Sequence, residues 1–219
     1  MEKLTKKERK INWMKITASL ALAVLIFVSG IYIGNLITEG KASDIANIEK
    51  QARMELENII VESMILEENP CIDPSMLSEK LDDLGTKLTY LEAEYSKSDP
   101  RILELKEPYT LLEVRHYLEM KKMIEECNYN YTLVLFFYSN SQENEGISEE
   151  QGFVLDYLRK KFGNVKVYSF DADLDIGIIE TLKKVNDITV IPSTIIEGKV
   201  YAGFHDKEEL EKVLEGRFQ

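Results

Sequence analysis

Few residues in this chain are equipped for catalysis or metal binding. There are two cysteines, Cys71 and Cys127, and two histidines, His116 and His205. Ligands so scattered do not match structural zinc or iron–sulfur sites, which need closely spaced pairs. Asp171-Ala-Asp-Leu-Asp-Ile-Gly177 comes near the start of an EF-hand loop. Its glycine is one place late, however, and position twelve is Leu182 and not glutamate. No metal and no cofactor is expected. Ser148-Glu-Glu-Gln151 is a capping-box pattern. With no histidine near it in sequence, Ser148 reads as a helix cap and not as a nucleophile, and no catalytic residue is assigned.

These residues sit in a chain of uneven composition. The net charge of −12 argues against a nucleic-acid partner, which needs a basic surface to displace counterions. The first fifteen residues nevertheless hold six basic side chains, Lys3, Lys6, Lys7, Arg9, Lys10 and Lys15, against Glu2 and Glu8. The 23 residues from Ile16 to Thr38 carry no charge. As a helix they are long enough to cross a bilayer. Trp13 and Tyr32 stand near the ends of that run, where amphipathic rings favour the interface. A cleaved signal peptide is the rival reading, but its apolar core is usually shorter and a small-x-small site should follow it. The chain therefore divides into a cytoplasmic basic tail (1–15), a transmembrane helix (16–38), a helical linker and hairpin (39–128) and a C-terminal domain (129–219). The basic flank keeps the N-terminus in the cytoplasm and puts the rest outside it, at the cell membrane. Gly30 and Gly34 form a lone G-x-x-x-G, a weak signal for helix pairing.

Between residues 41 and 127 the periodicity is helical. Ile45, Ile48, Ala52, Leu56, Ile59 and Leu66 continue the first helix, which Asn69-Pro70 ends. Asp73-Pro74 opens a second helix. Its Leu77, Leu81, Leu84, Leu88, Leu91 and Tyr95 form a heptad seam, which suits either packing on a neighbouring helix or a coiled coil between two copies. Ser98-Asp99-Pro100 opens a third helix, which Pro108 should kink or restart. Cys71 lies 27 residues before Ser98, and Cys127 lies 28 after Asp99. In an antiparallel hairpin they meet at the open end, as a disulfide if the compartment oxidises and as two buried thiols otherwise.

Beyond Asn130-Tyr131-Thr132, a glycosylation sequon, the pattern changes to strands alternating with helices. Tyr131 to Tyr138 and Val165 to Phe170 read as strands. Ile188 to Ile196 is a third with Pro192 inside it, and Val200 to Phe204 returns after a turn at Glu197-Gly198-Lys199. Helices follow the first strand from Ser148, the second over Ile178 to Val185, and the last strand from Asp206. This β-α-β-α-β-β-α order resembles the thioredoxin fold. Three features carry the likeness: the acidic Phe170-Asp-Ala-Asp173, Val190-Ile-Pro-Ser-Thr194, and Gly198-Lys-Val200 followed by Gly203. The fold class is thus α/β, a thioredoxin-like domain preceded by a transmembrane helix and a helical hairpin.

The resemblance implies a cis bond before Pro192, leaving backbone groups free to pair with an extended peptide. It also implies a Cys-x-x-Cys pair at the start of the helix after the first strand. That pair is missing, and its places fall on Glu145 and Ser148, or on Ser148 and Gln151. Ile191, Pro192, Glu145 and Ser148 are accordingly the peptide-groove candidates. A protein or an extended peptide is the expected partner, with a second copy of the chain as a further one. The alternatives are an atypical thiol–disulfide oxidoreductase using Cys71 and Cys127, or a purely architectural dimer.

The charge pattern makes a direct prediction. Protease added outside intact cells or spheroplasts should digest the C-terminal domain. Full protection of that domain would reverse the topology.

Overall fold

A computed structural model describes residues 13–68, 71–72, 75–97 and 99–216. Lys3, Lys6, Lys7, Arg9, Lys10, Asn69-Pro70, Asp73-Pro74 and Ser98, and the side chains of Ile45 and Leu66, lie outside the described residues. Helix α1 runs over Trp13–Glu68. Its segment Trp13–Gly34, 22 residues with a mean hydropathy of 2.3, is long and apolar enough to cross a membrane. The chain forms two compact units, Met1–Glu49 and Lys50–Gln219.

In the second unit, the end of α1 packs with α2 (Ser75–Glu94) and α3 (Pro100–Cys127). Ala52, Leu56 and Ile59 of α1 are buried, and so are Leu77, Leu81, Leu84, Leu88 and Leu91 of the α2 seam. Ion pairs Lys80–Glu62, Lys87–Glu55 and Arg53–Glu104 flank these contacts. The α2–α3 pair is the expected hairpin, the end of α1 adds a third helix to it, and the leucine seam of α2 is buried inside the chain. Asp99 caps α3 by accepting from the Arg101 N–H at 2.9 Å, with Pro100 at the first helical position. Pro108 does not end the helix. Ile102 and Leu105 before it and Leu112 and Val114 after it are all buried, and their packing outweighs a local cost of about 3 kcal/mol. At the open end of the α2–α3 pair Cys71 and Cys127 are joined, with Cα atoms 5.6 Å apart.

The sheet follows in the expected element order: β1 (Thr132–Tyr138), α4 (Glu145–Lys161), β2 (Val165–Asp171), α5 (Gly177–Val185), β3 (Ser193–Ile196), β4 (Lys199–Ala202) and α6 (Lys207–Glu215). Strand order is β2-β1-β3-β4, with β1 parallel to β2 and antiparallel to β3, and β3 antiparallel to β4. Because side chains alternate along a strand, β1 serves two cores. Val134 and Phe136 pack with Leu155, Leu158, Leu210 and Leu214 of α4 and α6. Leu135 and Phe137 pack with Val114 of α3 and Ile179 of α5. Helix α3 thus belongs to the helical layer and to the sheet at once. Asp206 caps α6 through the Glu209 N–H at 2.9 Å.

Two boundaries differ from the sequence reading. The third strand begins only at Ser193, and residues 188–192 precede it as a loop in which the bond before Pro192 is cis. Helix α4 starts at Glu145, three residues before Ser148. The Glu145 N–H donates to the Ser141 carbonyl at 2.8 Å and the Ser148 N–H to the Asn144 carbonyl at 2.9 Å, so the helix is already under way at Ser148.

Candidate functional site

The groove candidates gather at the carboxyl end of β1. Ser193 pairs with Phe137, which sets Pro192 beside that end. The Ser139 N–H donates to the Ser148 hydroxyl at 3.2 Å, which sets the first turns of α4 there as well. Ile191 is half-buried against the α3–α5 core, and neither its N–H nor its C=O has a hydrogen-bond partner among the described residues. The Pro192 carbonyl accepts from the Gly203 N–H at 2.8 Å, tying the loop to β4.

Ser148 departs from its expected role. It is not the N-cap; it is buried, and its hydroxyl accepts from the N–H that follows the end of β1. Gln151 is buried too, its amide oxygen accepting from the His205 N–H at 2.8 Å. Glu145 stands at the start of α4 and takes the Lys97 ammonium at 2.7 Å, with Glu149 at 3.4 Å from the same nitrogen. Burial works against that ammonium, but Glu145 and Glu149 outweigh it and raise the Lys97 pKa.

Two of the three carboxylates of the EF-hand-like stretch, Asp171 and Asp173, are already engaged. Asp171 accepts from Lys106 and from the Asn140 amide, both at 2.7 Å. Asp173 accepts from the Ser139 hydroxyl at 2.9 Å and the Asn140 N–H at 2.8 Å. Among the described residues, no group of three His, Cys, Asp or Glu side chains is placed to hold a metal.

Behind this end of the sheet lies a polar cluster that the sequence reading missed. Lys106 of α3 is 5% exposed and reaches Glu92 of α2 at 2.6 Å as well as Asp171 of β2. Desolvation disfavours its charge, but Tyr138, Asp171 and Glu92 more than compensate, and its pKa is raised. One helical heptad further on, Glu113 meets the free edge of β2. The Ser169 N–H, which points away from the sheet, donates to Glu113 Oε1 at 3.4 Å. An inward-facing carboxyl so placed blunts an edge strand. Burial pushes the Glu113 carboxyl up to about 8, against the opposing pull of the Ser169 N–H and the Tyr109 hydroxyl.

His116 forms a third buried feature. Its Nδ1 lies 2.8 Å from the Tyr168 hydroxyl and its Nε2 3.2 Å from the Ser78 hydroxyl. The connectivity is that of a nucleophile with its base. The adjoining cavity is only about 20 Å³, however, room for one water and no substrate. Burial, and secondarily the Lys166 charge, lowers the His116 pKa to about 4, so the ring is neutral at physiological pH.

No family model matches the sequence, and no curated protein matches it. Solved structures similar to the chain include mitochondrial thioredoxin 3 from Saccharomyces cerevisiae in its oxidised form. That alignment has 19% identity, covers 46% of this chain and 89% of that one, and has a TM-score of 0.34. Thioredoxin O2 from Arabidopsis thaliana, also oxidised, aligns at 16% identity over 48% of this chain and 89% of its own, with a TM-score of 0.35. A chloroplastic thioredoxin z aligns at 17% identity over 45% and 88%, with a TM-score of 0.35.

Glu113 and His116 give stability opposite dependences on pH. Glu113 binds its proton more tightly folded than unfolded, so its contribution is complete below about 4.5 and is lost as pH rises through about 8. The contribution of His116 is present above about 6.5 and is lost as pH falls through about 4. Between these groups, Glu113 acts alone from pH 6.5 to 8. Unfolding free energy should fall by about 1–2 kcal/mol across that window. In Glu113→Gln, measured by denaturant titration at each pH, the fall should vanish. A variant with the wild-type slope would refute this assignment.

Proposed function

We propose that the chain is a membrane-tethered, extracytoplasmic thioredoxin-like module without redox cysteines that holds an extended protein or peptide segment beside Pro192. The observation that carries this reading is Ile191. Its backbone donor and acceptor are unpaired, next to a strand whose remaining ladder is complete. An extended segment supplies partners for such groups by strand addition. The apolar Trp13–Gly34 segment supports the tether, and the basic residues before it support a cytoplasmic N-terminus.

The start of α4 speaks against thiol chemistry at the groove, since Glu145 and Ser148 occupy it without sulfur. The Cys71–Cys127 bridge does not replace it. Cys127 lies before the start of β1, whereas Pro192 adjoins its far end, and seven strand residues separate the two by about 20 Å. At the open end of α2 and α3 the bridge works as a staple. By loop-closure entropy it is worth roughly 3–4 kcal/mol.

The test is site-specific photocrosslinking in native membranes. A photoreactive side chain at Val190, exposed in the same loop as Ile191, should give a discrete adduct with another protein. The same group at Val185, exposed on α5, should not. Equal labelling from both sites, or none from Val190, contradicts the groove. A Val190 adduct with a second copy of the chain selects the architectural reading. Reduction of insulin disulfides by the purified chain would select the oxidoreductase.

A further inference from the structure

A slot of about 290 Å³ opens between α2 and α4, over the outer part of the sheet. Its inner walls are aromatic, formed by Tyr109, Phe136 and Tyr138. Burial raises the pKa of Tyr109 and Tyr138, so both are neutral phenols. Gly85 keeps room for the Tyr109 hydroxyl, which a Cβ there would meet at 2.6 Å. Both cations on the lining are already spoken for. Lys106 is held by Glu92 and Asp171, and Arg159 by Asp82 at 3.2 Å and Asp156 at 3.1 Å.

Glu113 also borders the slot. One of its oxygens takes the Ser169 N–H; the other, Oε2, is buried with no partner at hydrogen-bond distance, the Tyr109 hydroxyl acting on the same carboxyl only from farther off. A buried polar atom left without a partner is costly, so it marks a place that a hydrogen-bonding group can fill. The charged and titratable groups around it are Lys106, Tyr109 and His116 on its own helix, Asp82 and Glu92 on α2, Tyr138 on β1, Asp156 and Arg159 on α4, and Lys166 and Tyr168 on β2. The slot's own lining has an excess of acid even with Glu113 neutral. Together the acid excess, the ring faces and the unpaired carboxyl oxygen fit a compact organic cation.

We propose that this slot binds a small aliphatic amine as its ammonium, hydrogen-bonded to Glu113 Oε2 and lying against the rings of Tyr109, Phe136 and Tyr138. Glu113 holds its proton while the slot is empty, since burial puts its carboxyl at about 8. The ammonium enters with its own protons and replaces that one, so one proton leaves Glu113 for solvent. The Glu113 O–H bond is the one that breaks, its proton passing to water or buffer, and the amine keeps all of its own bonds. Affinity therefore tightens by about tenfold per pH unit below 8 and levels off above it.

Isothermal titration of the full chain in detergent solution tests this, with propylamine as the probe and 1-propanol as the uncharged control. Comparison of phosphate with MOPS buffer counts protons. The expected results are saturable propylamine binding, release of one proton at pH 7, about tenfold tightening from pH 6 to pH 7 and no binding of propanol. Glu113→Gln should weaken binding at least about tenfold. Gly152→Leu should block the slot from the α4 side; a Cβ there meets only the Phe136 ring, at 3.8 Å, so the fold is kept. Absence of saturable binding at millimolar amine overturns the proposal. So does binding without proton release, or binding unchanged in both variants.

Discussion

The Lys106 ammonium is the point on which this unit is assembled. It joins α3, which carries it, to α2 through Glu92 and to β2 through Asp171. Charges this deep are costly to desolvate, and their mutual attraction roughly offsets that cost. What such a cluster supplies is position: remove one member and the others are left buried and uncompensated. Asp171 in turn orients Asn140, and Asn140 orients Asp173. The loop after β1 is set by these bonds, and with it the entry into α4. The placement of the first turns of α4 near Pro192 thus traces back to a lysine on a helix that precedes the sheet.

Much of the scaffold could be read from the sequence. The strand run at Leu133 to Phe137 is apolar throughout because helices cover both of its faces. The α2 leucines follow a heptad because α2 lies along neighbouring helices for its whole length. Asp99 and Asp206 report helix starts through the bonds that their side chains accept, and Pro100 through its fixed φ at the first helical position. The start of α4 was not legible in the same way. Its first turn is closed by backbone bonds from the Ser141–Asn144 turn, and Asn144 makes no side-chain cap. Ser148 then offered a capping pattern that the fold uses for another purpose.

Charged residues on helices were the harder problem. Nothing in the sequence analysis singled out Lys106 or Glu113, yet both are only 5% exposed. A signal did exist: each follows a core leucine, Leu105 and Leu112, by one position, and the two pairs are a heptad apart. That repeat puts both charges on the margin of the buried stripe, where a helix lying along a sheet edge turns them inward. What the sequence lacked was the knowledge that β2 would be an edge strand, since strand order depends on the long-range pairing of β1 with β3.

The central claim is that the helical layer and the sheet are one cooperative unit pinned at Lys106. Equilibrium unfolding of Lys106→Met in denaturant, followed by both helix and tyrosine signals, tests it most directly. The account predicts a loss of about 3–5 kcal/mol, because Glu92 and Asp171 stay buried without their cation. It also predicts that the two signals remain coincident in the wild type. A loss below about 1 kcal/mol, or wild-type transitions that separate, would contradict it.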